Sequence, residues 1–151
     1  MPAEPDIAPV AAADYEQLLP LIAAYQRFYK VEEIDDERNR AFFRRFLAPS
    51  EDGMLIGARE GGRFLGYACL YWMFSSTRAA ETVLLNDLYV GAEARGRGVG
   101  RALIEASAEV ARERGAVCLE WSTEPDNSTA QRLYDSTGAE RSTWISYDLG
   151  L

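Results

Sequence analysis

The run Arg95-Gly96-Arg97-Gly98-Val99-Gly100-Arg101 stands between an apolar stretch that ends at Val90 and an amphipathic one that follows, and no other feature constrains the chain as much. Glycine lets the backbone turn tightly and come close to a ligand. A helix starting at this point offers unpaired N–H groups and the positive end of its dipole, so the segment reads as a cradle for a phosphate group. Arg95, Arg97 and Arg101 would deepen its attraction for an anion. A flexible turn on a basic surface is the alternative. Two better-known glycine loops do not fit. The dinucleotide fingerprint started at Gly96 meets Arg101 where its third glycine belongs, and a P-loop needs Lys and Ser/Thr where Arg97 and Gly98 stand.

With 151 residues, 48% of them hydrophobic, the chain suits one well-cored domain over residues 1–151, with 1–5 expected as a flexible tail. The net charge of −8 argues against nucleic acid as a partner and favours small cationic ones. The first residues carry no basic region and Pro9 interrupts the nearest apolar run, so no signal peptide is expected. The richest apolar stretch, Tyr67 to Phe74, is far short of the roughly 20 residues that span a bilayer, so no membrane association is expected. Cys69 and Cys118 lie in apolar segments of a chain without histidine, which suggests reduced core thiols, no metal site and a cytoplasmic setting.

Periodicity gives the remaining elements. A short strand from Ile7 to Ala11 precedes a helix opened by an Asp14/Gln17 capping box, with Leu18, Ile22, Tyr25 and Phe28 on one face and Pro20 as a kink. A second helix, capped by Asp35 or Asp36, carries Phe42, Phe43, Phe46 and Leu47 and stops at Pro49. The two helices have the look of a mobile pair. Gly61-Gly62 turns a hairpin between Met54–Glu60 and Arg63–Phe74, and the strand Thr82–Val90 leads into the glycine loop. The helix from Gly98 to Arg114 places Val99, Leu103, Ala106 and Val110 inward, pairs Arg101 with Glu105 and ends at Gly115. A buried strand Val117–Trp121, a helix Thr129–Thr137 with a Ser128/Gln131 capping box, and a last strand Trp144–Leu149 complete the order.

Arg95-x-x-Gly98-x-Gly100 after a strand resembles the acetyl-CoA pyrophosphate loop of the GNAT superfamily of N-acetyltransferases. A second stretch, Asn127 through Ala130 and Tyr134 to Gly138-Ala139, resembles that family's Asn-x-x-Ala-x-x-x-Tyr-x-x-x-Gly pattern, and Leu85 to Val90 looks like its fourth strand. The likeness covers residues 82–139; the preceding half agrees in element order only. It implies an α/β, three-layer fold: a mixed, mostly antiparallel sheet of about six to seven strands, splayed between the fourth and fifth and flanked by about four helices. It also implies acetyl-CoA as cosubstrate and a homodimer. By carry-over, backbone groups of Leu88, Tyr89 and Val90 would hold the pantetheine arm, and Arg95, Gly96, Arg97, Gly98, Val99, Gly100 and Arg101 the pyrophosphate. Asn127 and Ala130 would contact the arm from the other side.

Acetyl transfer needs a neutral amine, and deprotonating one of pKa about 10.4 at pH 7 costs roughly 4–5 kcal/mol. Without histidine, the base must be a carboxylate, acting directly or through water, or the solvent. Asp87 is the leading candidate, on the face of Leu85 and Tyr89 if the strand alternates regularly; a structural partner of an amide or an arginine is the alternative. Related polyamine acetyltransferases often show Glu-Asp where this chain has Asn86-Asp87; Glu120 and Glu124 are reserve bases. Tyr134 would donate to the departing thiolate, or else be core packing. The acidic run around Glu32, Glu33 and Asp36, with Asn86 and Glu124, is the candidate acceptor site, although acids at a helix start also complement its dipole. Tyr67, Tyr71 and Trp72 could pack on alkylammonium chains, as in the polyamine and diamine branch, or be core. The expected activity is transfer to a small, polyamine-like primary amine. A protein lysine or N-terminal acceptor and a non-catalytic acyl-CoA sensor are the alternatives.

Overall fold

The computed structural model describes residues 3–151. Four antiparallel strands, β1 (Asp6–Pro9), β2 (Gly53–Glu60), β3 (Arg63–Ser75) and β4 (Ala80–Val90), lie side by side in chain order, and β5 (Leu119–Glu120) joins β4 in parallel. The register of the central hairpin, Glu60 opposite Arg63, leaves Gly61 and Gly62 as its turn. Of the tail expected for residues 1–5, residues 1 and 2 lie outside the described residues, and β1 begins at Asp6.

Each face of the sheet has its own apolar cluster. On one, Tyr15, Leu18, Leu19 and Ile22 of α1 (Tyr15–Phe28) and Phe43 of α2 (Asp36–Phe43) pack with Phe46 on Leu55, Phe64, Tyr67 and Cys69. On the other, Val99, Leu103, Ile104 and Ala111 of α3 (Val99–Glu113) cover Ile56, Leu65, Ala68, Leu70, Val83 and Leu85. Fully burying side chains of this size contributes about 1.5–3 kcal/mol each, which makes these two layers the main source of stability. The helix α4 (Ser128–Asp135) adds Leu133 and Tyr134 at the edge of the second cluster.

Several local expectations change. Asp14 does not cap α1 through its side chain; Arg59 claims the carboxylate at 2.7 Å. Asp35 does cap α2, accepting from the amides of Glu37 and Arg38. α1 runs through Pro20 unbroken. It is tied to α2 by the reciprocal Gln26–Asn39 amide pair at 2.7 and 2.9 Å and by the Tyr15 hydroxyl donating to the Arg40 carbonyl at 2.7 Å. In α4 it is Asn127, one residue before the expected cap, that accepts from the Ala130 amide, while Gln131 donates to the Glu124 and Pro125 carbonyls. Arg101 reaches Ser136 on the α4 side rather than Glu105.

The sheet has five strands, fewer than expected, because its last edge is poorly filled. Val117–Trp121 shrinks to two paired residues, with Val117 56% exposed, and Cys118 is half-exposed rather than core. Trp144–Leu149 forms no strand; among the described residues nothing pairs with it. No described helix is long and apolar enough to cross a membrane.

Candidate active site

β4 and β5 pair only at Val83–Leu119 and Leu84–Glu120, while β4 continues to Val90. Beyond Leu84 the edge of β4 that faces away from β3 therefore has no strand beside it among the described residues. Leu88, Tyr89 and Val90 line this wedge with their backbone, and the glycine loop closes its end.

A β-bulge decides what faces the wedge. Cys69 stands opposite Asp87 and Leu70 opposite Leu85, so Asn86 is an extra residue on β4. The bulge breaks the alternation, and the expected shared face of Leu85, Asp87 and Tyr89 does not exist. Leu85 packs under α3, whereas Asp87 and Tyr89 turn to the face of α1. There Asp87 is 5% exposed, and its one hydrogen-bond partner is the Asn86 amide at 2.8 Å. Among the described residues no arginine or backbone amide holds it, so burial pushes its carboxyl up from 3.8 to about 6, with the Asn86 hydrogen bond opposing the rise.

Tyrosines surround that carboxyl. Tyr25 of α1 lies edge-on to Tyr67 and Tyr89, with ring centroids 6.1 and 5.9 Å away, and within electrostatic reach of both Asp87 and Tyr134. Tyr67 is fully buried with its hydroxyl lacking a hydrogen-bond partner. Tyr71 stacks on Phe46 at 5.2 Å and accepts from Asn86 at 3.1 Å. Trp72 belongs to the opposite face, where it donates to the Ser50 carbonyl and lies under the Arg114 guanidinium, so it cannot join the other two. Sequence reasoning missed Tyr25 as a site residue, because the apolar face of α1 gives no sign of which ring meets β4.

Tyr134 approaches from α4, with Trp121 edge-on at 5.5 Å. Its hydroxyl has no protein partner among the described residues, and burial raises its pKa, which keeps the phenol protonated. Both thiols are held toward their protonated form: burial pushes Cys69 far up, and Cys118 is raised as well.

At the glycine loop, Gly96 and Gly98 have φ of +77° and +81°, a left-handed backbone that a side chain would strain. The first intrahelical bond runs from the Ala102 amide to the Gly98 carbonyl, leaving the amides of residues 96–101 without a protein acceptor among the described residues. Gly100 is there for packing: a Cβ would sit 3.1 Å from Leu133 Cδ2 of α4. The arginines are more occupied than expected. Arg97 pairs with Glu60 at 2.9 Å, Arg101 bonds to Ser136, and Arg95 donates to the Val90 carbonyl at 3.0 Å. The backbone amides are thus the main anion donors. A diphosphate suits such a row of N–H groups at a helix start, so the residues fit the diphosphate of acetyl-CoA.

Asn127 spends its side-chain oxygen capping α4, and Ala130 supplies the amide it accepts from. Glu124, Glu32, Glu33 and Asp36 are exposed, and Glu37 is taken by Arg40. Among the described residues no three His, Cys, Asp or Glu side chains converge on a metal-sized site.

The model of the acetyltransferase (GNAT) family matches residues 18–139. An uncharacterised N-acetyltransferase of Bacillus subtilis is 36% identical over 147 residues, covering 97% of both chains. A D-amino-acid N-acetyltransferase of Saccharomyces cerevisiae is 38% identical over 112 residues, covering 73% of this chain and 69% of the yeast protein. The crystal structure of a probable acetyltransferase superposes with a TM-score of 0.86 at 31% identity, covering 97% of each chain.

Proposed function

The chain belongs to the acetyltransferase (GNAT) family and is an acetyl-CoA-dependent N-acetyltransferase, and on that premise we propose that residues 1–151 form one catalytic domain acting on a small cationic primary amine. The observation that carries this reading is that Tyr25 lies within electrostatic reach of both a buried, otherwise unneutralised Asp87 and Tyr134, beside a sheet wedge that ends in unpaired amides.

Bound acetyl-CoA supplies an activated acetyl thioester. The amides of residues 96–101 hold its diphosphate, and the open edge of Leu88 to Val90 lies along the arm. Asp87, with its pKa near 6, is ionised at neutral pH yet basic enough to take a proton from the ammonium acceptor, directly or through water. The amine attacks the acetyl carbon to give a tetrahedral adduct, whose collapse breaks the C–S bond as Tyr134 gives its proton to the departing sulfur; the remaining excess proton on the nitrogen returns to Tyr134, directly or through water. Tyr25, Tyr71 and Asn86 line the acceptor side, where aromatic faces suit an alkylammonium chain. The exposed acids Glu32, Glu33 and Asp36, with Glu124, draw cations toward the site. A homodimer belongs to the same reading, supported by the uncovered apolar tail, as does a cytoplasmic setting.

CoA release should be measured across polyamines, diamines, D- and L-amino acids and a basic peptide. Stimulation by di- and polyamines above the others supports the reading; preference for amino acids or for the peptide replaces the acceptor, and binding without release by any amine makes the chain a sensor. Tyr134→Phe should lower kcat about tenfold or more with acetyl-CoA affinity unchanged, and equal turnover removes the tyrosine from the chemistry.

A further inference from the structure

Among the described residues two buried side-chain polar atoms have no hydrogen-bond partner, Arg59 Nε and the Tyr67 hydroxyl. Arg59 is satisfied through its other nitrogens, which reach Asp14, Gln17 and the Gly62 carbonyl. Tyr67 has no second polar group on its side chain, and it is 0% exposed. A buried phenol usually finds a partner, because an unmatched buried O–H costs about 1–3 kcal/mol.

The sheet fixes where this hydroxyl stands. Tyr67 lies opposite Tyr89 and Cys69 opposite Asp87, so Tyr67 and Asp87 are diagonal neighbours on the α1 face. Diagonal positions of an antiparallel pair are about 7–8 Å apart, within the span of an aromatic side chain. Tyr25 lies edge-on to Tyr67, and both phenols are within electrostatic reach of Asp87. The carboxyl is itself half matched: Asn86 bonds Oδ1, and Oδ2 has no protein donor among the described residues. A donor without an acceptor and an acceptor without a donor therefore share one pocket without bonding each other.

Resting on the reading of Asp87 as the base, we propose that Tyr67 is a positioning residue for the proton transfer: its hydroxyl donates to one buried water, and that water donates to Asp87 Oδ2. Water is the smallest group that accepts from a phenol and donates to a carboxylate at once. Asp87 is 5% exposed and offers little face to an ammonium with its chain, whereas the water extends the carboxylate toward the acceptor. In the step, the N–H bond of the ammonium breaks toward the water oxygen while a hydrogen of the water passes to Oδ2. The water is regenerated, the carboxyl becomes neutral and the amine is left with its lone pair. Tyr67 keeps its own proton, because burial holds its pKa well above the usual phenol value.

Tyr67→Phe removes the hydroxyl alone. With the water no longer held, kcat should fall about tenfold or more while the KM of the acceptor and the affinity for acetyl-CoA stay unchanged. The limb of kcat/KM near pH 6 should move up by about half a unit or more, since the carboxylate loses a hydrogen bond to its charged form. The other titratable groups on this face are Tyr25 of α1, Cys69 and Tyr71 of β3 and Tyr89 of β4, with Tyr134 beyond Tyr25 and Arg45 beyond Tyr71. Phenols, thiols and guanidinium groups ordinarily titrate above about 8, so the limb belongs to Asp87. In a crystal structure of the wild type with CoA, a water should lie within hydrogen-bond distance of both Tyr67 Oη and Asp87 Oδ2. Density with no water between them, or with the two in direct contact, overturns the relay without any variant. Unchanged kcat and an unmoved limb in Tyr67→Phe, with the limb abolished in Asp87→Asn, would remove Tyr67 and leave Asp87 as the base. A wild type with no limb near pH 6 would remove the base, and the relay with it.

Discussion

Asp87 stands where its ionisation is opposed by burial. A carboxylate with one neutral hydrogen-bond partner and 5% exposure is costly to ionise, which is why its pKa is lifted to about 6. Its folded-state value lies above the unfolded one, so its contribution to stability is complete below about pH 4 and lost as pH rises through 6. Between 3.8 and about 6, at 1.36 kcal/mol for each unit, the loss is about 3 kcal/mol. Asp87→Asn keeps an acceptor for Asn86 and never ionises. In urea unfolding the variant should therefore gain on the wild type from pH 4 to 7, reaching as much as about 3 kcal/mol at pH 8. Its turnover should fall by about 10²-fold or more, and the rise of wild-type kcat/KM near pH 6 should vanish. The sequence placed Asp87 on the right strand but with the wrong neighbours. A bulge depends on which residues of β3 stand opposite, and the Cys69–Asp87 register is a property of the pair. Arg97 shows the same limit: its guanidinium is claimed by Glu60, thirty-seven positions earlier in the chain.

At the scale of the element, α3 has a left-handed glycine at each end, and the two serve different ends of its dipole. Gly98 and Gly115 have φ of +81° and +76°, and a Cβ at either meets nothing within 4 Å. Alanine should then cost the same at both, about 1–2 kcal/mol of backbone strain, with no steric term to separate them. Only Gly98 stands among the amides free for a diphosphate. Gly98→Ala and Gly115→Ala should lower the thermal midpoint alike, while titration calorimetry with acetyl-CoA should show an affinity loss of tenfold or more for Gly98→Ala alone. Equal affinities would move the diphosphate off the helix start. This element was the most legible in the sequence, since a turn, a helix start and a glycine terminator are local and leave their residues in place. The tail was misread: its alternation predicts a strand at Trp144–Leu149, but none forms there, because a strand needs an edge to pair with and alternation alone does not supply one.

For the whole molecule, the two faces of the sheet are unequal in what they still need. The α1–α2 face is closed by its own helices and by the Gln26–Asn39 pair, while the α3 face runs out under an edge strand of two residues. Trp121 belongs to both regions, lining the groove between α3 and β5 and packing edge-on against Tyr134. Trp121 thus joins the open end of the α3 face to the proposed acid, so a change in that groove reaches Tyr134. If the homodimer is the stable unit, unfolding separates two chains and the midpoint must depend on concentration. A tenfold rise in protein is worth about 1.4 kcal/mol to each dimer, or about 0.7 for each chain. For chains of this length that should raise the thermal midpoint by about 2 °C. Ile145→Asp with Tyr147→Asp should melt at a lower temperature that no longer moves with concentration. A wild-type midpoint constant over a hundredfold range would show that the α3 face is complete within one chain and that the bare tail contributes nothing to holding the fold.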